Sequence, residues 1–173
     1  MRVYLVGYMY SGKTTVGRQL AKAMRYKFVD LDQLFEATFH ITIPMFFARY
    51  GEKAFRIVEI KILSETVSFE NTIIATGGGT PCQPGNMDFI NRHGISVYLE
   101  LAPEAIISRM AKSKKLRPLF SGLTEQQRIE KVHSHLAERL PYYQQADIIF
   151  PALSPDIELL SRQLLALTEE HQN

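Results

Sequence analysis

The chain has 173 residues, 46% of them apolar, with 20 basic and 18 acidic side chains and a formal charge of +2. That length can bury one core and leaves little room for a second full domain, and so nearly balanced a charge carries no general footprint for nucleic acid or a membrane surface. Cys82 is the single cysteine; with no intrachain disulfide, no charged leader before an apolar signal segment and no apolar run of membrane-spanning length, cytoplasmic residence is the expectation.

In chain order, an apolar run at residues 3–6 reads as a buried strand. It enters Gly7-Tyr8-Met9-Tyr10-Ser11-Gly12-Lys13-Thr14, which completes the pattern G-x-x-x-x-G-K-[ST], and a helix-like run over residues 14–24 follows, with Leu20, Ala23 and Met24 on one face. A strand that delivers the chain to a glycine-permissive turn lets successive backbone N–H groups face a phosphate, and the next helix adds its unpaired N-terminal donors. Lys13 then brings a mobile positive charge to the β/γ-phosphates, and Thr14 a hydroxyl for Mg²⁺. The bland reading is a glycine turn with a surface lysine, which the flanking strand and helix disfavour.

Residues 27–29 read as a second strand, with Asp30 and Asp32 at its carboxyl end, the edge where open α/β sheets bind ligands. On an extended segment two-residue spacing points both carboxylates the same way. One suits hydrated Mg²⁺ and the other an acceptor hydroxyl; the alternative is an Asp acting as a helix cap, which would explain one of them. A long helix is expected from Glu52 to about Val67, with Phe55, Val58 and Ile62 on its apolar face and Gly51 marking a turn before it. Arg56 and Glu59, three apart, share a face of that helix, as an ordinary ion pair or as an arginine aimed at an anion by its carboxylate.

A third strand at 72–75 ends in Gly77-Gly78-Gly79, which permits close backbone approach to a ligand beyond what a tight turn requires. A fourth strand is expected at 96–99. From Ala105 to Thr124 there is no acidic residue, while Arg109, Lys112, Lys114, Lys115 and Arg117 supply five positive charges. Such a run is commonly a solvated face, yet Arg117 precedes Pro118-Leu119-Phe120, a stiff, partly apolar segment suited to a mobile lid over about 111–123. Thr124 and Gln127 have capping-box spacing before a helix running towards Leu140. Arg139 near its end is either a partner of the helix C-terminus or a bidentate ligand for a carboxylate. A fifth strand at 147–150 and a terminal helix with Ser154 and Pro155 at its start, carrying Leu159, Leu160 and Leu164, complete the chain. Helices crossing over five short apolar runs predict one α/β domain with a parallel sheet.

Five ordered signatures, GYMYSGKTTVG, FVDLD, GEKAFRIVE, ATGGGT, and RPLF followed by RLPYYQQAD, resemble those of shikimate kinase, of the nucleoside monophosphate kinase-like group of P-loop enzymes. The resemblance covers about residues 1–160. It implies a three-layer α/β/α domain spanning 1–173, a five-stranded parallel sheet in order 2-3-1-4-5, an acceptor-binding region at about 31–62, and transfer from ATP, with Mg²⁺, to the 3-hydroxyl of shikimate. It implies nucleotide contacts from Gly7, Ser11, Gly12, Lys13, Thr14, Thr15, Arg109 and Arg117, with Arg109 against adenine. Thr14 and Asp30 go to the metal shell, Asp32 to the shikimate hydroxyls, Arg56 and Arg139 to its carboxylate, and Gly78 and Gly79 to its ring; Lys13, Asp32 and Arg117 are the catalytic set. A monomer with small-molecule partners, and neither nucleic acid nor membrane, is expected. Tyr10 stands where the family usually has glycine, and Phe120 where it has an aliphatic residue. Gluconate kinase or another small-metabolite kinase, and a noncatalytic nucleotide-binding regulator, share the nucleotide machinery but do not require two arginines converging on a carboxylate.

Overall fold

The computed structural model describes residues 1–113 and 118–170. Its centre is β1 (Arg2–Val6), whose residues from Val3 to Val6 are wholly buried because strands pair with it on both sides and helices cover both faces. With β2 (Lys27–Asp30), β3 (Thr72–Ala75), β4 (Ile95–Glu100) and β5 (Ile148–Pro151) it forms one parallel sheet in order β2-β3-β1-β4-β5. That is the expected order, and the carboxyl ends of β1, β2 and β3 lie side by side.

The first helix, α1 (Lys13–Met24), buries Val16, Gly17, Leu20 and Ala21 against the sheet. Ala23, expected on that face, is exposed. At Gly17 a Cβ would run into the Phe28 ring and lie 3.1 Å from Leu5 Cδ1, so only glycine lets the helix sit this close to β2.

The chain turns helical directly after β2. In α2 (Leu31–Phe39) Asp30 is the N-cap, its carboxylate accepting the N–H groups of Asp32 and Gln33. The two acids are therefore not on one extended segment: Asp30 ends the strand and Asp32 lies in the first turn of the helix, since the cap satisfies donors that a strand would have paired. Helix α3 (Ile43–Glu65) opens on the Thr42 cap and breaks at Gly51 (φ 79°, ψ 171°), so the predicted helix from Glu52 is its second half. Phe35, Phe46 and Phe55 join the two helices, with Phe35 5.0 and 5.1 Å from the other two ring centroids.

Beyond β3 follow α4 (Asn86–His93), α5 (Pro103–Lys112), α6 (Glu125–Tyr143) and α7 (Ile157–Glu170). The Thr124–Gln127 capping box forms as expected, and α6 runs on through Pro141. Helix α7 begins two residues after Pro155, which therefore precedes the first turn it was expected to occupy, because the Asp156 carboxylate accepts the Leu159 N–H at 2.9 Å and caps the helix. Leu160 and Leu164 are buried, whereas Leu159 faces outward. Among the described residues no helix is long and apolar enough to cross a membrane.

Candidate active site

Between β1 and α1 the phosphate-loop motif forms a loop with positive φ at Gly7 (142°), Tyr10 (67°) and Gly12 (96°). Gly12 caps α1 in the left-handed region, which turns the first helical N–H groups towards the concave side of the loop. Tyr10 takes a left-handed angle without being glycine, at about 1–2 kcal/mol. The carbonyls of Tyr10 and Ser11 accept from Arg109 Nη1 at 3.2 and 3.0 Å, and Arg109 Nη2 donates to the carbonyls of Ala152 and Leu153 at 2.7 and 3.3 Å. Arg109 thus ties the loop to the segment after β5. Lys13 Nζ donates to the carbonyls of Gly7 and Tyr8 at 2.8 and 2.9 Å. The Thr14 hydroxyl donates to Asp30 Oδ2 at 2.7 Å, so Asp30 serves both as helix cap and as partner of the loop. Ser11 Oγ is buried with no hydrogen-bond partner among the described residues, and Thr15 is exposed on α1.

The triple glycine after β3 is where the other expected residues meet. A Cβ on Gly77 would lie 3.0 Å from Asp32 Oδ1 and 3.1 Å from Glu59 Oε1; one on Gly78, 3.3 Å from the Met9 nitrogen and 3.5 Å from Arg139 Nη1; one on Gly79, 2.9 Å from Arg56 Nη2. Side chains here would push the guanidiniums away and separate this strand end from the phosphate loop. Asp32, Arg56 and Arg139 therefore surround one backbone turn that touches the loop.

The two arginines are held differently. Arg56 Nη1 donates to Glu59 Oε2 at 2.8 Å and Nη2 to Glu52 Oε1 at 3.1 Å, while the second oxygen of buried Glu59 accepts the Thr80 hydroxyl at 2.6 Å. Burial works against the Arg56 charge, but Glu59 and then Glu52 outweigh it, and its pKa is raised. The ion pair is thus real and also aims the guanidinium at Gly79. Arg139 sits with Cζ 5.7 Å from the centre of the Tyr8 ring, and its Nη1 is buried with no hydrogen-bond partner among the described residues. A buried, unused guanidinium donor beside a glycine turn is a ready place for an anion.

The family model for shikimate kinase matches residues 9–166 of this chain. The chain belongs to the shikimate kinase family. It is therefore an ATP-dependent small-molecule kinase. The shikimate kinase of Parabacteroides distasonis is 42% identical over 151 residues, 87% of each chain. A crystal structure of shikimate kinase from Bacteroides thetaiotaomicron superposes with a TM-score of 0.89 at 38% identity, covering 98% of each chain. One from Acinetobacter baumannii, in complex with shikimate, gives 0.84 at 34% identity, covering 98% of this chain and 93% of that one.

Several neighbours of the site carry no motif signal of their own. Tyr143 donates its hydroxyl to the Gly78 carbonyl at 2.6 Å and stacks on Tyr98; burial, together with Cys82, raises its pKa. Burial also pushes up the Cys82 thiol beside the same turn. The Tyr8 hydroxyl meets His135 Nδ1 at 3.1 Å. Burial and the nearby Arg139 charge lower the His135 pKa to about 4, and burial raises that of Tyr8 to about 12. Tyr143, Thr80 and Cys82 lie within or next to quoted signatures, but only the fold shows what they touch.

Of the two departures from the family pattern, Tyr10 accepts the left-handed turn already described, and Phe120 is fully buried in the core. The tip of the expected lid, with Lys114, Lys115 and Arg117, lies outside the described residues.

Proposed function

We propose that this chain transfers the γ-phosphoryl group of ATP to the 3-hydroxyl of shikimate, giving shikimate 3-phosphate and ADP. The observation that carries the reading is the meeting of Asp32, Arg56 and Arg139 around Gly77-Gly78-Gly79, in contact with the phosphate loop at Met9. One anion and one hydroxyl on a small ring suit that spacing, and the acceptor then lies beside the transferred phosphate.

In this reading the N–H groups of the loop and of the α1 N-terminus hold the phosphates, and Lys13 moves from the carbonyls of Gly7 and Tyr8 onto the β/γ-phosphates. The loss of carbonyl contacts is offset by charge-assisted bonds to the phosphate oxygens, which strengthen as charge redistributes in the transition state. Asp32 accepts the proton of the acceptor hydroxyl, Arg56 and Arg139 hold the carboxylate and so orient the ring, and Gly78 and Gly79 let it approach. Arg109 borders the adenine.

Hard oxygen donors at Thr14 and Asp30, 2.7 Å apart beside the helix N-terminus, fit a hydrated Mg²⁺. Bound there, Mg²⁺ would neutralise phosphate charge.

A coupled assay with ATP, Mg²⁺ and a panel of shikimate, gluconate and nucleoside monophosphates tests the reading. Turnover with shikimate alone is expected; preferred turnover of gluconate or of a nucleoside monophosphate would replace it.

A further inference from the structure

The phosphate-loop pattern asks nothing of its second position, yet Tyr8 there is 1% exposed and joins both halves of the site. Its carbonyl accepts Lys13 Nζ at 2.9 Å, its ring faces the Arg139 guanidinium with Cζ 5.7 Å from the centroid, and its hydroxyl meets His135 Nδ1 at 3.1 Å. The Tyr8 and His135 rings stand at 85°, edge to face. His135 and Arg139 are four residues apart on α6 and so share one face of it, and Tyr8 packs against that face.

Arginine is long and rotatable, and a clamp on a carboxylate works only if the guanidinium is already in place. Arg56 has two carboxylates to hold it. Arg139 instead has an aromatic face, whose quadrupole attracts a cation without occupying its N–H donors. Nη1 stays available to the ligand, buried and without a hydrogen-bond partner among the described residues, while a side-chain hydrogen bond with Tyr143 holds another part of the same guanidinium. With a pKa near 4, His135 is neutral at neutral pH and braces the tyrosine without adding a second cation beside Arg139.

We propose that Tyr8 is a positioning residue for the acceptor: its ring, braced by His135, holds the Arg139 guanidinium beside Gly78, where it meets the acceptor carboxylate. This rests on the role given to Arg139 above.

Calorimetric titration of the full-length protein with shikimate and, separately, with ADP tests it in Tyr8→Leu, Tyr8→Phe, Arg139→Ala and the Tyr8→Leu/Arg139→Ala double variant. Tyr8→Leu should weaken shikimate about 3- to 30-fold, the range expected for a desolvated cation–π contact, with ADP changed less than about twofold. Tyr8→Phe, which keeps the ring, should restore most of the loss. In the Arg139→Ala background, Tyr8→Leu should add nothing. Equal weakening of ADP and shikimate, or the same loss with and without Arg139, would make Tyr8 an ordinary packing residue of the loop. If Arg139→Ala weakens shikimate while Tyr8→Leu does not, the positioning role alone falls; if Arg139→Ala has no effect, the carboxylate clamp falls first and the positioning role with it. Should Tyr8→Leu not fold, Tyr8→Met fills similar volume without a ring face, and the same outcomes apply.

Discussion

Arg56→Ala and Arg139→Ala should weaken the acceptor alike yet affect the fold in different ways. In binding, each removes charge-assisted hydrogen bonds from a partly desolvated anion, on the order of 1.5–3 kcal/mol, or about 10–150-fold in shikimate affinity. In stability they part. Arg56 pairs with Glu59, whose side chain is 8% exposed, so its removal leaves a buried carboxylate with the Thr80 hydroxyl as its remaining partner; on the order of 2–4 kcal/mol should be lost, the Arg56 side chain itself being 20% exposed. Arg139→Ala loses a ring contact of about 0.5–2 kcal/mol and removes a buried unpaired donor that weighs against the folded state by about 1–3 kcal/mol. These nearly cancel, and its stability should stay within about 1 kcal/mol of the parent. Urea unfolding of both variants, with calorimetric titration of shikimate and ADP, reads all four quantities. Arg139→Ala destabilising as much as Arg56→Ala would show that Arg139 is built into the fold, and unchanged shikimate affinity in both would remove the clamp.

Gly79→Ala should strike the acceptor side of the site: the backbone (φ −97°, ψ −12°) tolerates alanine, but the Cβ would lie 2.9 Å from Arg56 Nη2, displace that guanidinium and narrow the approach of the ring. The KM for shikimate should rise roughly tenfold or more while that for ATP holds; a parallel rise in both would contradict this. Asp32→Asn should retain ADP affinity and lose most phosphoryl transfer, because an amide cannot take up the hydroxyl proton; near-parental turnover would return Asp32 to a merely structural place in α2. His135, with its pKa lowered to about 4 by burial and by Arg139, binds a proton less readily in the folded state than in the unfolded one, where the value is near 6.5. Its contribution is therefore fully present above about pH 6.5 and is lost as pH falls towards 4, by at most about 3 kcal/mol. His135→Gln should accordingly lose less stability than the parent between pH 7 and pH 4.5 in urea unfolding, and an identical acid loss would refute the shift.

The nucleotide half of the site was legible in the sequence because phosphate binding uses consecutive backbone N–H groups, so Gly7 to Thr14 must be neighbours in the chain. The sheet order came from the resemblance, and the strands from their apolar runs. Helix α2 was legible only as the alternative in which one of the two acids is a helix cap, and Asp30 is that cap; the extended reading of Asp30-Leu31-Asp32 gives way once its carboxylate accepts the next N–H groups. The length of α3 was hidden in the same way, since Gly51 reads as a turn and is a kink within a longer helix. Arg56–Glu59 was visible as a pair, but its direction was not, because helical spacing says which side chains share a face and nothing of what that face meets.

The acceptor half was decided by the tertiary structure. Asp32, Arg56, Gly78 and Arg139 lie on four separate segments, brought together only because β2, β3 and β1 are neighbours in the sheet and α6 packs beside the turn after β3. The same holds for Tyr8, an unconstrained letter in the motif until the fold sets its ring between His135 and Arg139. Backbone recognition leaves a contiguous signature, whereas side-chain recognition is assembled across the sheet and is written in no single stretch of chain.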